Sequence, residues 1–333
     1  MLKSLIININ KSSVTSNNIS KFSKVNQINR YFSSKMTNVG DRSKLFVSPK
    51  WLKENQNNVK IVDASWFMAH EKRDPRKEFV DKHIKSAKLF DIDEICDKTV
   101  SLPHNLPSEQ VFEKEMKRLG ITNDDHIIIY DTRAQYVASA RVWWTFLIFG
   151  HSASKVSLLE GGLPAWEREG YPVQSGPIEN SNNDESKTYK STFNNDLVKN
   201  KQDILSNLQS KEYQLIDARS ADRFWGRVDE PRPGLLRGHI PNSLNIPWTD
   251  LIEPVANGGH GGFIPNDKVL TTFKEKGVDL SSKIATTCGS GTTAAVLSLG
   301  LYKLGYPLAP IYDGSWSEWG LPVNKLPTSC SNN

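Results

Sequence analysis

Cysteine is scarce: 333 residues hold three, Cys96, Cys288 and Cys330. Thiols this few and this far apart make no disulfide framework. None stands at ligand spacing from a histidine, so the chain has no zinc-type motif and no resident cofactor or metal is expected. Long apolar runs are missing too. None reaches the ~18–20 residues of a membrane span, and no membrane association is expected. Acidic residues are absent from the first 40 positions, which carry Lys3, Lys11, Lys21, Lys24, Arg30 and Lys35. Setting those six aside leaves 36 basic residues against 37 acidic ones, so the formal charge of +5 belongs to the leader. A nucleic-acid partner is therefore not expected, because the folded part carries no basic excess.

The leader is basic, hydroxyl-rich and without a compact apolar core, which excludes a secretory signal. It reads as a mitochondrial transit peptide, with Arg30-Tyr31-Phe32-Ser33 similar to a matrix-protease site. The plainer alternative is a disordered polar tail. Met36 offers a start for a shorter, cytoplasmic product.

The rest of the chain contains one pattern twice. Asp63, His83, Gly120, Gly150 and Gly161 return as Asp217, His239, Gly277, Gly305 and Gly314, at offsets of 154, 156, 157, 155 and 153 residues. A near-constant shift over five landmarks predicts a duplicated domain. Each half alternates β-type runs with helical ones, which predicts an α/β fold with mainly parallel sheets. The strands expected are 61–63, 127–131 and 156–159, then 214–217, 284–288 and 310–313. "ARVWWTFLIFG" and "TAAVLSLGLYKLG" have helical periodicity and stop at glycine. The expected organisation is a leader over 1–40, a domain over 44–174, a polar linker over 175–190, a domain over 191–326 and a tail over 327–333.

The repeat places Cys288 where the first half has Asp131, each eleven residues after its helix-stop glycine. "CGSGTT" then puts a cysteine at the carboxyl end of a parallel strand, where open α/β sheets bind ligands. Gly289 and Gly291 let the chain curl so that main-chain N–H groups form an anion nest at a helix start. A thiol in such a place can fall from ~8.5 toward ~4–7, and the same amides would stabilise a persulfide. A buried packing cysteine is the plain alternative. Arg223 and Arg232 follow the neighbouring Asp217 strand and suit a small carboxylate. Asp93 and His104 lie in "FDIDEICDKTVSLPHNLP", a loop poor in surface-type charge, and Ser290 is placed to relay a proton to His104. Cys96 and Cys330 read as loop and tail thiols. His83 and His239 read as turn-fixing residues, and Trp143, Trp144, Trp166, Trp316 and Trp319 as packing.

On "VDASWF", "FDID", "LLEGGLPAW", "DARSADRFWG", "GHIPNSLNIPW", "CGSGTTA" and "YDGSWSEW", the chain resembles the two-domain rhodanese superfamily from about Phe46 to Leu321. The resemblance implies two rhodanese-like domains, each a five-stranded, mainly parallel sheet flanked by helices, with a site between them. It implies that Cys288 accepts sulfur as a nucleophile, while Ser290, His104 and Asp93 handle protons. Arg223, Arg232, Gly289, Gly291, Thr292 and Thr293 would hold the substrate. Thiosulfate-using members resemble "CRKGVTA"; here Gly289 and Ser290 stand in place of the two cations, which implies the mercaptopyruvate-using branch. The expected partners are a small anionic sulfur donor and, as acceptor, thioredoxin, a small thiol or cyanide, with the protein a monomer or weak dimer. Competing readings are a thiosulfate sulfurtransferase, a non-catalytic binding module and a tyrosine-type phosphatase; the last lacks a phosphate-clamping arginine between Cys288 and Ala295. Thr292 stands where valine is common and should leave the nest alone. Residues 136–140 also depart from the family and bear on the domain interface or substrate access.

Overall fold

The computed structural model describes residues 42, 44–177, 188–253 and 261–330. The expected leader and most of the linker lie outside the described residues. Among the described residues, twelve strands form two large sheets and one small one. In the first half, β1 (Phe46–Val47), β2 (Lys60–Asp63), β4 (Lys88–Leu89), β5 (Ile127–Tyr130) and β6 (Val156–Leu159) make a parallel sheet in the order β1-β6-β5-β2-β4. In the second, β8 (Val198–Lys199), β9 (Gln214–Asp217), β10 (Leu244–Asn245), β11 (Ile284–Thr287) and β12 (Ile311–Tyr312) make a parallel sheet in the order β8-β12-β11-β9-β10. The two orders correspond strand for strand, as the repeat predicts. The three strands expected in each half are present; the two-residue strands are too short to show a period. A small antiparallel pair, β3 (His83–Ile84) with β7 (Val173–Gln174), ties the end of the first domain back to its middle.

β5 and β6 are buried at every position, the signature of a parallel strand covered on both faces. Glycines end the preceding helices. Gly120 takes φ +69° and its N–H reaches Lys117 and Met116 carbonyls. Ser108 caps the same helix, Glu109–Leu119, by accepting from Val111 N at 3.3 Å. His83 and His239 do fix turns: their Nδ1 atoms lie 2.6 Å and 2.8 Å from the carbonyls of Phe79 and Phe224.

The helices Val137–Ile148 and Ala294–Lys303 occupy equivalent places in the two halves and pack on one another. This is why both are apolar all round: one face covers a sheet and the other a neighbouring domain. The main core runs through both, from Trp143, Trp144 and Phe146 to Val296 and Leu297. An ion pair spans this interface. Arg141 has a side chain only 3% exposed, and its Nη2 lies 2.5 Å from Asp313 Oδ1, just beyond β12 of the other domain. Its guanidinium also lies 4.7 Å from the Trp144 ring centre.

The duplicated strand ends have diverged. Asp63 and Asp217 each accept from the backbone N–H two residues on, at 2.8 Å from Ser65 and 2.9 Å from Arg219. In the second domain the side chain of Arg219 also returns to Asp217, with Nη2 2.7 Å from Oδ2. In the first domain Ser65 stands at that position and brings no cation. Burial therefore pushes the Asp63 carboxyl up to about 6, with bonds to Ser65 and Tyr130 opposing the rise and Asp131 adding to it. The folded state thus prefers protonated Asp63. Its contribution is whole below the ordinary value of 3.8 and is lost as pH rises through 6. Asp63→Asn should remove this dependence: between pH 4 and 7 the wild type should lose up to about 3 kcal/mol more than the variant. Urea titrations at a series of pH values measure the difference, and parallel curves refute it.

Breaking the Arg141–Asp313 pair should be costly, because it leaves a largely buried carboxylate without its cation. Arg141→Met should lower the unfolding free energy by about 3–5 kcal/mol. Thermal denaturation checks this; a shift no larger than that of an exposed substitution would count against the pair.

Candidate active site

β11 ends at Thr287, which pairs with Asp217, so Cys288 leaves the sheet beside the end of β9. The next turn is held from outside. Trp316 N donates to the Cys288 carbonyl at 3.0 Å and Ser317 N to the Gly289 carbonyl at 2.8 Å. Arg141 Nη1 lies 3.4 Å from the Gly291 carbonyl. In a trans peptide the N–H points opposite to the preceding C=O. Pinning these carbonyls outward therefore turns the N–H groups of Gly289, Ser290 and Thr292 to the other side of the loop. Among the described residues no acceptor meets the amides of Gly289, Ser290, Gly291, Thr292 or Thr293. That is the anion nest expected at the start of the helix Ala294–Lys303. Gly291 is needed twice over: it has φ +75°, and a Cβ there would lie 2.9 Å from Arg141 Nη1. Cys288 is 2% exposed, and its own N–H lies 3.2 Å from Ser315 Oγ.

The first domain shows what such a loop does when no ligand is wanted. Asp131 takes the place of the cysteine, and its carboxylate accepts from Arg133 N at 2.9 Å, Tyr136 N at 3.0 Å and Ser139 Oγ at 2.7 Å. The loop has closed on its own anion.

His104 and Asp93 arrive from the first domain. His104 Nε2 lies 2.9 Å from Asp93 Oδ1, and Nδ1 lies 2.9 Å from Ser290 Oγ, across a separation of 186 residues. Trp66 Nε1 donates to the other Asp93 oxygen at 2.9 Å, and its ring meets the His104 ring edge-on at 5.0 Å. Burial raises the Asp93 carboxyl, but the bond to His104, with Trp66 and Lys98, outweighs this and holds it below its ordinary value. Burial lowers the His104 ring below its ordinary value, Asp93 opposes, and Arg232 and Arg141 add to the fall. The pair is thus a carboxylate and a neutral imidazole, with Nε2–H facing Asp93 and the Nδ1 lone pair facing Ser290. His104 has a left-handed backbone, φ +61°, and Arg141 Nη2 donates to its carbonyl at 2.8 Å.

The two arginines are brought to the loop but are not equivalent. Arg223 is gripped by Glu230, with Nε 3.1 Å from Oε1 and Nη2 2.5 Å from Oε2. Glu230 also takes Arg219 Nη1 at 2.8 Å, so a buried relay from Asp217 through Arg219 and Glu230 fixes Arg223. Its Nη2 lies 2.8 Å from where a Gly289 side chain would begin, which explains the glycine there. Arg232 has no hydrogen bond or ion pair among the described residues. Burial lowers its guanidinium, the charge of Cys288 acts against that, and Arg223 adds to the fall. A cavity of about 350 Å³ opens beside the loop, with Trp66, Phe67, Arg133, Arg223 and Thr293 among its walls. Cys288 is not on its wall.

Four participants escaped the sequence reading: Arg141, Asp313, Trp66 and Glu230. Arg141 had a visible signal, a charge inside an apolar helical run. Trp66 and Asp313 are ordinary residues whose partners lie further off in the chain, while Glu230 has its partners close by, 7 and 11 residues away, but nothing in the sequence says that it closes on them. Thr292, expected to face substrate, turns its hydroxyl to His104 Nδ1 at 3.1 Å.

A nucleophile-type cysteine under a nest, a proton relay and one unpaired guanidinium fit attack on a small anion. Comparison with known proteins agrees in kind. The profile of the rhodanese-like domain matches residues 48–169 and 200–321. The human 3-mercaptopyruvate sulfurtransferase is 41% identical over 262 residues, 78% of this chain and 84% of that one. The mitochondrial thiosulfate/3-mercaptopyruvate sulfurtransferase 1 of Arabidopsis thaliana is 37% identical over 306 residues, covering 85% and 79%. The crystal structure of the 3-mercaptopyruvate sulfotransferase SseA from Escherichia coli superposes with a TM-score of 0.72 at 35% identity, over 82% of this chain and 99% of that one. Two profile matches falling on the two sheets, and relatives matched over most of their length, place the chain in the rhodanese family as a tandem of two of its domains.

Proposed function

We propose that the protein is a 3-mercaptopyruvate sulfurtransferase, with the domain over 191–326 catalytic and that over 44–174 supplying Asp93 and His104. The observation that carries this is the His104–Ser290 contact, which brings a neutral base to a cysteine loop without cationic side chains. Cys288 attacks the sulfur of mercaptopyruvate. An S–S bond forms, the C–S bond breaks, and the electron pair passes to C3 as the enolate of pyruvate. The proton of the substrate thiol travels by Ser290 and His104 to that carbon, with Asp93 steadying the ring. Products are pyruvate and a Cys288 persulfide, stabilised by the N–H groups of the loop. Arg232, with Arg223 behind it, holds the carboxylate and ketone. Gly289 and Gly291 shape the pocket floor, and Thr293 borders the adjoining cavity. The thiol is covered, so side chains over it part when substrate enters.

The outer sulfur then passes to a second thiol, thioredoxin or a small one, or to cyanide; transfer to a thiol opens a route to hydrogen sulfide. No helix among the described residues is long and apolar enough to cross a membrane. The acid-free leader supports mitochondrial import, in keeping with the name of the Arabidopsis relative, and Met36 would give a cytoplasmic form. Monomer or weak dimer is the assembly this reading favours.

The test follows pyruvate release from mercaptopyruvate together with the intact mass of the protein. Wild type should gain the mass of one sulfur atom, and Cys288→Ser should release no pyruvate and gain nothing. Turnover by the serine variant would remove Cys288 from its role. Thiosulfate, assayed in parallel, should be the poorer donor by at least about tenfold in kcat/KM, a difference of about 1.4 kcal/mol. A preference for thiosulfate would favour the second reading, a thiosulfate sulfurtransferase, which the double name of the Arabidopsis relative keeps in view.

A further inference from the structure

His104 has two partners on one nitrogen. Ser290 Oγ lies 2.9 Å from Nδ1 and Thr292 Oγ1 lies 3.1 Å from it. The two hydroxyls are 3.5 Å apart, and all three residues are buried. Nε2 is committed to Asp93, so Nδ1 accepts, and a neutral imidazole nitrogen offers one lone pair in the ring plane. Two hydroxyl donors therefore share one acceptor site.

We propose that Thr292 is a positioning residue of the relay, its hydroxyl occupying His104 Nδ1 whenever Ser290 turns its proton toward the substrate. This rests on the reading of the site given above. The exchange moves hydrogen bonds only: no covalent bond changes and no proton leaves Thr292. Without Thr292, a Ser290 hydroxyl turned to substrate would leave Nδ1 bare in a buried site. Unpaired buried acceptors are costly, so Ser290 would be held back on the ring. With Thr292 present, the swap is nearly balanced, one hydroxyl replacing another at similar distance. Thr292 is well placed for this because Gly291 and the helix start fix its backbone, while Arg141 fixes the carbonyls of Gly291 and His104 on either side.

The consequence is measurable on the ring itself. A hydroxyl donated to Nδ1 stabilises the unprotonated imidazole and opposes protonation there. The other groups facing His104 are Asp93 and Trp66 from the first domain, Arg141 from the interface helix, and Arg232 and Ser290 from the second domain. When Thr292 is replaced, Asp93, Trp66, Arg141 and Arg232 keep their places and Ser290 stays on Nδ1, so the ring loses one of its two hydroxyl dipoles. Thr292→Val removes the hydroxyl at nearly constant volume, and Thr292→Ser keeps it. In the full-length resting enzyme, ring-carbon NMR should show His104 of Thr292→Val titrating higher than wild type by about half to one pH unit. The signal is assigned by its loss in His104→Gln. Thr292→Ser should titrate with wild type, and Thr292→Ala, which tolerates a wider range of packing, should follow valine. The acid limb of kcat/KM for mercaptopyruvate should move up in the same variants, since the relay needs an unprotonated ring. Valine and alanine variants that titrate with wild type would overturn the proposal, as would a serine variant that shifts with them. A shifted ring with an unmoved acid limb would uphold the Thr292–His104 bond and count instead against His104 acting in turnover.

Discussion

One guanidinium, that of Arg141, holds the two halves of the site in register. It lies in the helix by which the first domain packs on the second, and it has acceptors on three segments: the Asp313 carboxylate, the His104 carbonyl and the Gly291 carbonyl. Asp313 in turn accepts from Leu106 N at 2.9 Å, two residues beyond His104. The loop that carries the base and the loop that carries the cysteine are thus fastened to the same pair of buried ions. A buried pair of this kind contributes little net stability against an apolar alternative. What it does provide is direction, since the planar fork of an arginine fixes where each acceptor must lie. The left-handed backbone at His104 is affordable because its carbonyl is held in this way.

Duplication gave the two domains one frame and two electrostatic solutions. At the end of the strand that pairs with the loop strand, Asp217 found Arg219, while Asp63 has Ser65 and Tyr130 but no cation, and a raised affinity for its proton. At the loop itself, the amides of the second domain meet no acceptor among the described residues, while the first domain satisfies its own with Asp131. These differences are linked. Arg219 begins the chain of ion pairs that ends at Arg223 over the cysteine loop. The first domain has no use for such a chain, because its loop is already filled. Its contribution is the edge that carries Trp66, Asp93 and His104.

Much of this was legible in the sequence because it is periodic or repeated. The long central strands, the two interface helices and the helix-stop glycines show up as patterns of burial, and the constant offset between halves pairs Cys288 with Asp131. The turn at Gly291 was legible too, since its φ of +75° calls for glycine; Gly289 was expected to serve in the same way but has no left-handed backbone, and what crowds a side chain there is Arg223. The two-residue strands β1, β4, β8 and β10 were not, because a period of two needs more than two residues to appear. Nor was the raised proton affinity of Asp63, which depends on a cation that is missing rather than on a neighbour that is present. The difference between Arg223 and Arg232 is invisible in sequence for a similar reason. Glu230 lies between them along the chain, and only the fold decides that it closes on Arg219 and Arg223 and leaves Arg232 alone.

That last asymmetry bears on which sulfur donor fits. Two arginines near a loop suggest a doubly cationic pocket suited to a dianion. With Asp217 bonded to Arg219 and Glu230 bonded to both Arg219 and Arg223, the four side chains carry no net formal charge, although Arg223 still reaches the loop. The cation left unpaired is Arg232. Its charge acts on Cys288 and on a neutral His104. A donor with a single carboxylate can pair with Arg232 and still present an uncharged thiol to Cys288. Thiosulfate would bring two charges to the same place, with its second charge facing Cys288. Loop cations at positions 289 and 290 would offset that repulsion, but a side chain at 289 begins 2.8 Å from Arg223 Nη2. Adding charge there would displace the guanidinium that the Asp217–Arg219–Glu230 relay holds. On the proposed function, selectivity for a monoanionic donor would be built from the strand end outward.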